Sequence, residues 1–76
     1  MDKQGYIALL LEKFQGRQID RKQLEQCFEV VLEEVDDPVL ASGNLQALLW
    51  KIFRGESATC LSEATQEQIR AILDIK

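Results

Sequence analysis

A chain of 76 residues makes one domain. By the scaling of buried surface with size it hides only about 60% of its unfolded surface, enough for a small core but not for a walled catalytic cleft. Apolar residues are 46% and charged residues 29%, a globular balance, while nine Lys+Arg against 13 Asp+Glu leave a net charge of −4, opposite to the excess that grips phosphate backbones.

At the N-terminus, Met1-Asp2-Lys3-Gln4-Gly5 lacks the basic start and long apolar stretch of a secretory signal. The longest wholly aliphatic run, Ile7 to Leu11, falls far short of the roughly 20 residues that span a bilayer, so no transmembrane segment is expected. Ile7, Leu10, Leu11 and Phe14 share one face of a first helix over residues 3–15, with Gly16 as its stop. Lys13, Arg17, Arg21 and Lys22 then gather around the first connection, where charged side chains are ordinarily solvated. A second helix, 20–35, has Asp20 as N-cap with Gln23 three residues on, a variant of the capping box. Its apolar stripe is Leu24, Cys27, Phe28, Val31 and Val35, and Pro38 keeps Asp37 from continuing the helix.

Residues 36 to 43 read as the longest irregular connection, with Val39-Leu40 as a short apolar turn and Ser42-Gly43-Asn44 as a loop that ends in an N-cap. The third helix, 44–54, presents Leu45, Leu48, Leu49, Ile52 and Phe53, and Gly55 closes it. A fourth, 62–75, starts at Ser62 or Thr65, the pairing of Thr65 with Gln68 fitting a capping box better, and places Ile69, Ile72 and Leu73 inside. Nothing reads as a strand or a repeat. The expected architecture is all-α, a compact antiparallel four-helix bundle, with Leu24, Phe28, Val31, Leu48, Leu49 and Ile52 nearest the centre.

Chemistry has few carriers. The absence of histidine removes the usual general base and the commonest zinc ligand. Cys27 sits on an apolar stripe beside Glu25 and Glu29, a field that opposes thiolate formation, and Cys60 follows a small polar stretch. Two cysteines in no framework pattern suit a reducing cytoplasm, and a disulfide between them would require the fold to bring them together. No cofactor or metal is expected: a di-metal carboxylate site would use Glu-x-x-His pairs, which the chain lacks. We therefore expect a non-enzymatic protein.

Two surface features remain. Glu25, Glu29 and Glu33 recur every four residues as an acidic ridge that Asp36 and Asp37 extend, and residues 23 to 44 hold six acids and no base. Such a ridge either keeps the domain soluble or mimics nucleic acid towards a basic partner, as in an acidic inhibitor or regulator of phage or plasmid type. Trp50, beside Lys51 and Arg54, falls at one edge of the third helix. There it serves as a partner contact or covers the core near residues 38 to 41. A homodimer or dimerising adaptor through an apolar strip such as Val39-Leu40 with Trp50 is a further mode of association.

From Leu40 onward the residue pattern resembles a family. Gly43-Asn44-Leu45, Leu48-Leu49, Leu61-Ser62-Glu63 and Gln68-Ile69-Arg70-Ala71-Ile72-Leu73 are similar to the immunity proteins of class IIa (pediocin-like) bacteriocins. The resemblance covers residues 6 to 75 in helix order and 40 to 73 in residue pattern. It implies a small cytoplasmic four-helix bundle that protects a bacteriocin producer without chemistry, by binding a mannose-phosphotransferase permease that the bacteriocin has engaged. Trp50, Lys51, Arg54 and Arg70, in the resembling half, are the contacts it implies.

Overall fold

The computed structural model describes residues 2–56 and 61–74, and four helices carry most of them: α1 (Lys3–Lys13), α2 (Arg21–Glu34), α3 (Pro38–Phe53) and α4 (Glu63–Leu73). The fold is the expected all-α four-helix bundle. α2 lies at its centre and packs against each of the others, with α1 also touching α3. Gln23 at the start of α2 donates to the carbonyl of Ile72 at 3.4 Å, whereas Glu34 at its end meets Ser62, so α2 and α4 are antiparallel. α1 and α3 finish on the same side, where the Phe14 ring lies 4.7 Å from Trp50 and 5.6 Å from Phe53.

The core follows the apolar spacing. Ile7, Leu10 and Phe14 enter from α1, Leu24, Cys27, Phe28 and Val31 from α2, and Leu45, Leu48, Leu49 and Ile52 from α3. Ile69 and Leu73 enter from α4, and Leu61 from just before it. All six residues expected nearest the centre are buried. Leu11, Val35, Phe53 and Ile72, placed inside by periodicity, are half-buried at its margin. Tyr6 stacks on Phe28 with ring centroids 6.2 Å apart.

The α2 cap is as expected. Asp20 Oδ1 accepts from the Gln23 amide at 2.8 Å, and the Gln23 side chain accepts from the Asp20 amide at 3.0 Å. Asp20 and Val35, counted within the helix from sequence, are its caps. α1 stops at Lys13 rather than at residue 15, with Phe14 as C-cap.

Two boundaries are corrected. α3 begins at Pro38, not at residue 44, so Val39-Leu40 and Ser42-Gly43-Asn44 are helical and not a loop. The proline that ends α2 also starts α3: at the first helical position its missing N–H needs no partner and its fixed φ suits a helix. Asp37 provides the cap, its carboxylate accepting from the Val39 amide at 3.0 Å and its carbonyl from the Ala41 amide at 2.8 Å. This added turn buries Ala41. α4 is capped by Ser62, whose hydroxyl accepts from the Thr65 amide at 3.3 Å. Thr65, which the sequence favours as the cap, is instead buried in the first turn. Residue 75, Cys60 and any Cys27–Cys60 disulfide lie outside the described residues.

Candidate functional site

The topology gathers unlike residues at the two ends of the bundle. At one end meet the last turns of α1, α3 and α4, the connection into α2 and the start of α2, and residues 13 to 22 there hold four bases and one acid. Phe14 is buried there and supports Trp50 and Phe53. Over those two rings lies the exposed Arg17, its guanidinium carbon 5.8 Å from the Trp50 centroid and 5.6 Å from that of Phe53, within range for cation–π attraction. Beside them Gly16, Arg17, Gln18, Phe53, Leu73 and Asp74 line an open depression of about 310 Å³.

The structure brings Trp50, Lys51 and Arg54 together at this end. Trp50 is half-buried against Phe14, so it is neither a free rim residue nor a cover over residues 38–41, which form the opposite end of its own helix. Lys51 and Arg54 converge on Glu56, at 3.9 and 2.9 Å. Arg70, partly exposed in the last turn of α4, precedes by one turn the Leu73 and Asp74 that line the depression. Sequence reasoning missed Arg17 and Phe14 as the frame of this cluster. Their partners lie more than 30 residues away, and no local pattern marks the pairing.

At the other end α2 finishes while α3 and α4 begin. Residues 29 to 41 hold five acids and no base. The acidic ridge is less free than its spacing implies, because Glu25 pairs with Arg21 at 3.8 Å and Glu29 pairs with Lys3 of α1. Asp37 is committed to the α3 cap. Among the described residues, Glu33 and Asp36 make no ion pair. Glu34 accepts from the Ser62 amide at 3.1 Å and from the Thr65 hydroxyl at 2.9 Å. These hydrogen bonds to Ser62 and Thr65 hold its carboxyl below the usual range. Glu34 thus opposes the dipole of its own helix but sits at the start of α4, where negative charge is favoured. Val39 and Leu40, 62% and 57% exposed, project from the first turn of α3 at the same end.

Cys27 is buried in the core, and desolvation pushes its thiol up to about 12, the environment of a small hydrophobe and not of a nucleophile. Among the described residues no three acidic or cysteine side chains are placed to hold a metal ion. No helix among them is long and apolar enough to cross a membrane. No family model, curated protein or solved structure matches the chain.

Proposed function

We propose that this protein is a binding module without chemistry of its own, which docks on a protein partner through the basic, aromatic end of the bundle. The observation that carries this reading is the Arg17–Trp50–Phe53 stack beside Lys51 and Arg54. Tryptophan and arginine dominate binding hot spots because one side chain offers large rigid area together with directed polar contact. Here both are held in place before any partner arrives, by Phe14 from beneath and Glu56 from the side. Pre-ordering of this kind lowers the entropy lost on association.

The sharpest form of the proposal is bacteriocin immunity in the cytoplasm, with a bacteriocin-engaged permease as partner, since the residue pattern from 40 to 73 and the α-helical bundle both suit it. The acidic ridge supports a nucleic-acid mimic less well, because two of its three carboxylates are paired within the chain. The test is survival of a sensitive strain that expresses the protein and is challenged with pediocin-like bacteriocins. The expected result is protection that Arg54→Glu and Arg17→Glu each reduce at unchanged expression and helicity. Full protection by both folded variants would remove this end from the mechanism. No protection by the native chain would remove immunity and leave docking on another protein to be tested by the same substitutions.

A further inference from the structure

The exposed tip is acidic, the end of the bundle that holds the open depression is basic, both are partly apolar, and they sit at opposite ends of one molecule. From this juxtaposition we infer that copies of this chain associate head to tail, the Val39-Leu40 tip of one entering the depression beside Phe53 and Leu73 of the next. This inference does not depend on the proposed partner.

Three observations select this arrangement over a symmetric dimer. First, Val39 and Trp50 do not form one strip. Eleven residues of helix separate them by about 16 Å at 1.5 Å per residue, and Phe14 and Arg17 cover the Trp50 ring. Two copies therefore cannot pair through one continuous strip that runs from Val39 to Trp50. Second, the tip carries acid without base: Asp36 and Asp37 precede it and Glu33 lies in the last turn of α2 nearby. Placed against its own equivalent it would meet like charge. Third, the depression is edged by Arg17, with Lys51 and Arg54 on the adjoining turn of α3 and Asp74 as the one acid in its lining. A surface that fits a different surface on the next copy makes a heterologous contact, which propagates unless its rotation closes a ring.

Sedimentation equilibrium from micromolar to millimolar protein tests this directly. The native chain should rise past twice the monomer mass with concentration, and less so at high salt, which screens the charged rim. Leu40→Lys at the tip and Arg17→Glu at the depression, both at exposed positions, should each leave a helical monomer. An equimolar mixture of the two variants retains one intact tip and one intact depression, so it should form heterodimers and nothing larger. Arg54→Glu serves in place of Arg17→Glu should that variant lose helicity. A native chain that stays monomeric throughout overturns the inference. So does a closed dimer that survives the depression variants, or a mixture that remains monomeric.

Discussion

Replacement of Gly43 by alanine tests the boundary at which the structure departs most from the sequence pattern. In the structure Gly43 lies inside α3, beyond the first turn set by Asp37 and Pro38, and it is exposed. A Cβ built there meets nothing within 4 Å, so the substitution neither fills a void nor forces a clash. What remains is the difference in helix propensity, about 0.8–1 kcal/mol in favour of alanine, which comes chiefly from the freedom an unfolded glycine loses. For a domain of this size that raises Tm by roughly 4–8 °C per kcal/mol. With a urea m-value of about 1 kcal/mol/M, expected for so short a chain, the midpoint should rise by roughly 0.8–1 M at constant slope. Gly16 and Gly55 are the controls. Their Cβ positions are equally open, but φ is +84° and +72°, where a side chain costs about 1–2 kcal/mol. The same chemical change should therefore stabilise at 43 and destabilise at 16 and 55, read by thermal and urea melts. A loss at 43, or one sign at all three positions, would refute a helix that starts at Pro38.

The Glu34 carboxylate should make stability fall in acid. Its folded pKa lies below the ordinary carboxylate value of about 4.3, so the charged form binds its partners and the contribution is complete above that pH and fades as pH drops through the folded value. Glu34→Gln should lower the urea midpoint at neutral pH and converge with the native chain in acid; parallel curves would show that Ser62 and Thr65 do not depend on the charge. Cys27 should resist thiol reagents until the chain unfolds, because burial both hides the sulfur and disfavours thiolate. In a Cys60→Ser background, labelling at neutral pH should track unfolding, and rapid native-state labelling would contradict the packing of α2.

The fold was legible wherever the information is local. Leu24, Cys27, Phe28 and Val31 mark the inner face of α2 by spacing alone, and the Asp20–Gln23 box closes within four residues, so both ends of that signal lie in one stretch of sequence. The start of α3 was hidden by composition. Ser42, Gly43 and Asn44 are turn formers, and Pro38 signals both that α2 must stop and that a helix can begin. Asp37 immediately before it was the available sign, since an aspartate ahead of a proline supplies the cap together with the first helical residue. At α4 two hydroxyls competed for one role. Ser62 caps because Glu34 of another helix draws the Thr65 hydroxyl inward, a choice made by tertiary contact and not by the local motif.

The surface was less legible, for a related reason. A helical wheel of α2 shows a ridge of three glutamates but not the Lys3 that α1 brings to Glu29, so apparent charge exceeds effective charge wherever a neighbouring helix supplies a counter-ion. The same holds in the opposite sense for the basic end. Lys13, Arg17, Arg21 and Lys22 look like an ordinary solvated connection, yet one of them lies across aromatic rings delivered by α3. Chain topology supplies the polarity. α2 ends where α3 and α4 begin, so acids at the close of one helix join those at the openings of two others; α1 and α3 finish together, which concentrates cations and aromatics at the far end. Helix dipoles favour acids at the two openings and bases in the two final turns, while the acids that end α2 rely on the start of α4 for compensation. Charge segregation and fold therefore reinforce each other, and function should be sought at the ends of the bundle before its sides.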